Sequence, residues 1–251
     1  TLFLPFFYNS GVASIYEYQE RRFGPAARVV MSAIFLLTQA LTTGAILYAT
    51  ALVLQFVTGI GIFPSVMLIT VVALIYTALG GMLAVIWTDV FQGIVLVIGA
   101  VVIAAVLLAN MPAPLGEVLA GLKEQGRLNV AITDLDVTRP TTIWSGVLAM
   151  TLFHITVYGA NQMMVQRTLG AKTIGSAKKS YLLMGYAAVP IYFLFFFVGV
   201  LCYAFYRGQT FEDPNQIILI FAAQAGIPGL VGILTAAVLA ASMSTLSSAF
   251  N

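Results

Sequence analysis

The sequence predicts an all-α, polytopic membrane protein, and three observations carry that prediction. Of 251 residues, 61% are hydrophobic and 8% are charged, against about a quarter charged in an ordinary soluble domain. The apolar residues fall in continuous runs of helix-spanning length, not in the short alternating segments of a membrane β-barrel. Every acidic residue except Asp89 lies between those runs. A net charge of +2, spread over scattered basic residues, speaks against a nucleic-acid partner. The single cysteine, Cys202, leaves no internal disulfide and reads as a small buried apolar residue.

The chain opens with "TLFLPFF", too short to cross a bilayer alone. It reads as a partial helix over 1–8, the last turns of a preceding span. Six full spans follow, near 29–57, 63–79, 85–109, 143–163, 181–206 and 229–250. Gly80 and Gly81 mark a tight turn between the second and third. The stretch "DPNQIILIFAAQAG" reads as a short helix capped by Asp213, with Pro214 at its first position. Arg21, Arg22 and Arg28 fall in loop 9–28, and Arg167, Lys172, Lys178 and Lys179 fall in loop 164–180. The positive-inside rule makes those two loops cytoplasmic in a multi-pass protein of the cell membrane. The last apolar run ends without an exit signal, so we expect a single transmembrane domain over 1–251 that is an internal piece of a longer, transporter-sized chain.

A hydroxyl in hydrocarbon is costly unless something meets it, so the polar residues inside spans are the candidates for function. The last span ends in "AASMSTLSSAFN". On a helix, Ser244, Ser247 and Ser248 share one face, and Ala241, Ser244, Thr245 and Ser248 form an overlapping stripe. Such hydroxyls either bond backbone carbonyls at a close helix contact or offer hard, neutral oxygens to an alkali cation. Asp89, inside "GGMLAVIWTDVFQGIVLVIGA", either caps its helix together with Thr88 or faces the bundle as a cation ligand. His154 lies near the middle of its span, as a hydrogen-bonded structural residue or as a donor to a solute. Gln39, Thr42 and Thr43 share a face beside Gly44, which suits helix packing or the wall of a solute site. No Walker A loop, HExxH motif, paired intramembrane carboxylates or triad is present, so the sequence does not read as an enzyme.

Four ordered stretches, "YEYQERRFG", "YTALGGMLAVIWTDVFQ", "GANQMMVQRTLGAK" and the terminal serine run, resemble motifs of the sodium/solute symporter family. That family includes sodium–glucose, sodium–monocarboxylate, multivitamin and sialic-acid cotransporters. The resemblance covers nearly the whole chain and implies a LeuT-type inverted-repeat helix bundle. It implies sodium (Na+) as coupling ion, with a first site at the Ala241 carbonyl, Ser244 and Thr245. A second sodium site, known in some members, maps onto Asp89, Ser244, Ser247 and Ser248. Residue His154 falls where sugar-transporting relatives place a substrate contact; Gln39, Thr42 and Thr43 complete the candidate substrate set. The arginine that sialic-acid transporters carry near Thr42 is missing, which argues against that solute. The expected function is sodium-coupled symport of a small polar solute, a sugar, carboxylate or vitamin-like molecule, across the lipid bilayer by alternating access. A transporter-like sensor that relays solute binding to a signalling module is the alternative.

Overall fold

The structure is a computed structural model describing residues 3–129, 132–136, 138–139, 142–207 and 209–250, apart from the side chains of Ala160 and Thr168. Thr1 and Leu2, at the start of the helix expected over 1–8, lie outside the described residues. Ten α-helices follow one another with no strand among the described residues: α1 (Phe3–Asn9), α2 (Ile15–Phe23), α3 (Pro25–Thr58), α4 (Ile62–Ala109), α5 (Leu115–Glu124), α6 (Ile143–Ala160), α7 (Gln162–Leu169), α8 (Ile174–Phe205), α9 (Ile217–Gln224) and α10 (Leu230–Phe250). Helices α3, α4, α8 and α10 are long and apolar enough to cross a membrane, and α6 is a shorter apolar helix. The helix α4 holds two of the expected spans, because its backbone stays coiled on both sides of one break at Gly81. There φ is +57° and ψ −160°, a conformation open to glycine at little cost and strained for other residues. The turn read from Gly80–Gly81 is thus a sharp kink that divides α4 into two limbs.

The chain divides into two compact units, residues 1–36 with 116–188, and residues 37–115 with 189–251. In the first, Phe7, Val12, Ile15 and Val165 make a small core. The helix α2 starts at Ser14, whose hydroxyl accepts the Glu17 N–H. Its Ile15 N–H reaches the Gln162 side chain on α7. The Ala13 N–H holds the Glu17 carboxyl below its usual range, with Arg21 and Arg28 adding to the effect, and burial pushes the Tyr16 hydroxyl up to about 12.

The expected span over 143–163 is interrupted. At Asn161 the backbone leaves helical geometry (φ −83°, ψ 130°), and α7 begins at Gln162. The Asn161 side-chain oxygen accepts the Met163 N–H, an N-cap-like bond that starts the new helix. Interrupted membrane helices are tolerated where the freed backbone is buried in protein or lines a cavity.

In the second unit the larger core joins Val53, Ile103, Leu107, Val198, Leu201, Cys202, Phe221 and Leu230. As the sequence implied, Cys202 is buried there. The helix α9 is reached through a 3₁₀ turn, Pro214–Gln216, that Asp213 caps by accepting the Asn215 N–H. The dominant packing is α4 against α10. Gly99 permits it: a Cβ added there would lie 2.5 Å from the Ala237 Cβ. A second core of Leu54, Ile69, Ala73 and Leu246 seats the far end of α10 against the first limb of α4. These two contacts decide where the polar end of α10 sits.

Candidate cation site and solute cavity

Asp89 lies two turns beyond the Gly81 kink, inside the second limb of α4. It does not cap that helix. The Thr88 hydroxyl bonds the Ala84 and Val85 carbonyls of its own helix, while the Asp89 carboxylate faces α10. There the Ser244 hydroxyl donates to Asp89 Oδ1 at 2.7 Å. The Ser248 hydroxyl is shared between the Ser244 carbonyl at 2.8 Å and Asp89 Oδ2 at 3.5 Å. The i, i+4 spacing of Ser244 and Ser248 puts both on one face, and the Gly99–Ala237 approach brings that face to α4.

The other hydroxyls of the run turn elsewhere. Ser247, fully buried, donates to the Ser244 carbonyl at 3.0 Å. Thr245 donates to the Ala241 carbonyl at 3.2 Å, which sets those two oxygens side by side. Ser242 is buried on another side of α10 and exchanges a hydrogen bond with Thr50 of α3. Among the described residues no three of His, Cys, Asp or Glu gather as a transition-metal site would need. One carboxylate with several hydroxyls, supplied by two helices, is instead the oxygen-only chemistry that suits an alkali cation.

In the same unit, Gln39, Thr42 and Thr43 of α3 are satisfied along their own helix. The Gln39 amide donates to the Thr43 hydroxyl at 3.3 Å, and Thr42 donates to the Thr38 carbonyl at 2.9 Å. Thr42 is exposed and Thr43 buried.

In the first unit, His154 borders a cavity of about 440 Å³ with Phe3, Phe7, Thr151, Tyr158 and Tyr181. Its ring stacks on Tyr158, with centroids 5.4 Å apart and planes at 27°. The Tyr181 hydroxyl closes one side by donating to the Tyr158 and Met164 carbonyls at 3.4 Å. The cavity is mainly aromatic, with His154 and Thr151 as side-chain polar groups. Its lining includes Gly159 and Val165, which stand on either side of the helix break at Asn161 that the sequence reading showed only as continuous span. Three further polar residues escaped that reading: Thr77, Gln92 and Tyr181. Gln92 was visible in principle, one turn beyond Asp89 on the same face.

A profile of the sodium:solute symporter family matches residues 1–251. The chain belongs to that family. Among its relatives are the rabbit (Oryctolagus cuniculus) sodium-dependent multivitamin transporter, 34% identical over all of this chain and 40% of its own length, and the human sodium/iodide cotransporter, 33% identical over all of this chain and 40% of its own. The zebrafish (Danio rerio) sodium-coupled monocarboxylate transporter 2 is 32% identical over all of this chain and 41% of its own. Among solved structures, a Na+-coupled sialic acid symporter in a substrate-bound outward-open state, described as revealing a novel Na+-site, superposes with a TM-score of 0.87. It is 27% identical, over 98% of this chain and 52% of its own. This family member therefore spans about two-fifths of the curated relatives it matches, and it has the all-α, LeuT-type membrane fold that the sequence implied. The named relatives are transporters, not enzymes.

Proposed function

We propose that the protein acts in sodium-coupled symport of a small polar solute by alternating access. The observation that carries the reading is the Asp89–Ser244–Ser248 cluster. It is a membrane-embedded carboxylate met by hydroxyls from a second helix. A sodium ion entering there exchanges its water for the carboxylate and hydroxyl oxygens. The Ser244 and Ser248 hydroxyls then turn their lone pairs to the ion and their protons to backbone carbonyls. We assign this second sodium to Asp89, Ser244, Ser247 and Ser248. The first goes to the Ala241 carbonyl, Ser244 and Thr245. Because Ser244 belongs to both sets, filling one site pre-orients a ligand of the other. Each ion that crosses the membrane contributes about 2.3 kcal/mol per 100 mV to solute accumulation.

The solute would meet His154, Gln39, Thr42 and Thr43. His154 supplies a hydrogen-bond donor beside an aromatic wall, which suits a carboxylate or the polar edge of a ring. By their names, relatives carry vitamins, monocarboxylates and iodide, which supports a carboxylate or vitamin-like solute ahead of a sugar. The domain is one transmembrane unit of the cell membrane, with loops 9–28 and 164–180 facing the cytoplasm, where the basic residues collect.

The test is uptake of labelled sugars, carboxylates and vitamins by the full-length protein in proteoliposomes, with sodium replaced by choline in parallel. At least one solute should accumulate only with sodium. In the responding case His154→Ala should raise the solute half-saturation several-fold and leave sodium binding without solute unchanged. Accumulation that is indifferent to sodium for every solute would end the symport reading.

A further inference from the structure

Segment 9–28 sets three arginines against two glutamates, and the pairing leaves one arginine over. Glu17 meets Arg21 at 2.5 Å, and Glu20 meets Arg28 at 2.6 Å. Arg22 meets no carboxylate among the described residues. Uncharged groups hold its guanidinium instead. It rests over the Phe23 ring, 5.3 Å from the centroid, and one N–H donates to the Tyr18 hydroxyl at 2.8 Å. Neither contact cancels the charge.

A guanidinium presents several N–H donors in a planar fork. The Tyr18 hydroxyl accepts from Arg22 and so keeps its own proton to give. Both groups border a hollow of about 420 Å³, together with Ser10, Val12 and Arg21. Positive charge, a fork of N–H groups and a phenolic O–H within one hollow form a donor set that suits phosphate oxygens.

The place of the hollow says which phosphate it fits. The helix α2 is seated on the protein: Ile15 is buried with Phe7 and Val12, and the Tyr18 ring packs edge-on against Phe6 and Phe7. At Gly24, where φ is +90°, the chain turns. The helix α3, long and apolar enough to cross a membrane, starts at Pro25. Arg22 therefore stands three residues before a membrane-crossing helix, near the depth of lipid headgroups. Phe23, 65% exposed beneath the guanidinium, gives the hollow an apolar edge that suits the top of an acyl chain. A free phosphate ion would leave that ring in water. A zwitterionic headgroup would bring its own cation to an arginine-lined hollow; an anionic headgroup would not. On the cytoplasmic side, where loop 9–28 is assigned above, the leaflet is rich in anionic lipid.

We propose that the hollow beside Arg22 and Tyr18 binds the phosphate of an anionic phospholipid and so fastens α2 to the cytoplasmic surface of the membrane. The site shares no residue with the ion and solute sets, and it stands whether or not the symport reading holds.

The test uses delipidated full-length protein in detergent. It is titrated with short-chain phosphatidylglycerol, with phosphatidylcholine of the same chains, and with potassium phosphate. Native mass spectrometry counts bound lipid, and the unfolding midpoint reports protection. Phosphatidylglycerol should bind more tightly than phosphatidylcholine. Arg22→Gln should weaken it about fivefold, the change expected for one basic residue at an anionic surface. Tyr18→Phe should weaken it about threefold, the loss of one hydrogen bond. Phosphatidylcholine binding should stay as in wild type in both. Tyr18→Phe keeps the ring packing and gives the same decision should Arg22→Gln fail to fold. Lys178→Gln with Lys179→Gln removes two charges from the other basic loop and should leave phosphatidylglycerol binding unchanged. An equal loss in the lysine variant would show a diffuse attraction to any basic surface and overturn the site. Wild-type phosphatidylglycerol binding in Arg22→Gln would overturn it too, as when another part of the full chain covers the hollow. Protection by potassium phosphate that matches phosphatidylglycerol and vanishes in Arg22→Gln would make the hollow a site for free anions and overturn the lipid assignment.

Discussion

The polar turn of α10 and the polar turn of α3 are built from the same kinds of residue at the same helical spacing, yet they end differently. Gln39 and Thr43 bond each other, and Thr42 bonds its own backbone, so the α3 turn is closed on itself. The α10 turn is open: Ser244 and Ser248 reach across to a carboxylate on α4. A hydroxyl that serves its own helix contributes to packing. A hydroxyl that leaves its helix for a charged partner makes a site that an ion can enter. The difference comes from the neighbour: α10 meets α4 closely enough, at Gly99, to bring Asp89 into range.

The largest effect expected from breaking this contrast is at Asp89. Asp89→Asn keeps the size and one carbonyl oxygen but removes the only charge in the cluster. Binding of the second sodium should be lost, with the sodium Hill coefficient of uptake falling to near one while transport continues. Reversal potentials in proteoliposomes give the stoichiometry directly. If wild type already couples one sodium per solute, Asp89 is no second-site ligand.

Next in size is the contact that makes the α10 turn open. Gly99→Val would place side-chain atoms inside the Ala237 Cβ and force the helices apart. Overpacking of this kind costs about 1–3 kcal/mol. It should appear as a lower unfolding midpoint and as weaker sodium binding, although residue 99 touches no ion ligand. Wild-type sodium affinity in a destabilised Gly99→Val would show that the Asp89 cluster tolerates separation of its helices.

Much of this site was legible in the sequence. A serine run at the end of an apolar span marked the Ser244, Ser247 and Ser248 face by its period, and Asp89 stood out as the one carboxylate inside a span; joining them in one site came from the family resemblance. Apart from that resemblance their meeting was not legible, because crossing partners depend on which small residue allows two helices to approach. Gly99 is one glycine among 22. The break at Asn161 was hidden for a related reason: "YGANQMM" keeps the apolar character of a span, and only the backbone shows the interruption. The kink at Gly81 was easier, since paired glycines after an apolar run signal a turn in advance.

The two serines Ser242 and Ser244 sharpen the contrast within α10 itself. Ser242 exchanges its hydrogen bond with Thr50, so Ser242→Ala should cost about 1 kcal/mol of stability and leave sodium activation of uptake as it was. Ser244→Ala removes the hydroxyl on Asp89 and should weaken sodium activation several-fold. Paired thermal unfolding and sodium titrations separate the two. Equal sodium effects at both positions would mean that α10 presents no distinct ion-facing side.

The smallest effect belongs to the closed turn, and its smallness is informative. Thr42→Val removes an exposed hydroxyl that donates to the Thr38 carbonyl of its own helix. Valine keeps the β-branched shape, and the carbonyl it releases already takes part in the helix ladder, so stability should change by less than about 0.5 kcal/mol. Sodium activation should not move, because the Thr42 hydroxyl is committed to its own helix. The solute constant is the discriminating readout. If Thr42 lines the solute path, Thr42→Val raises the half-saturation for a polar solute while the sodium titration stays fixed. If the closed turn is packing alone, both constants stay at wild-type values, and Thr42 leaves the solute set with His154 and Gln39 still to be tested one by one. A shift in sodium affinity at Thr42 would contradict the distinction itself, because a turn closed on its own backbone would then be coupled to the ion.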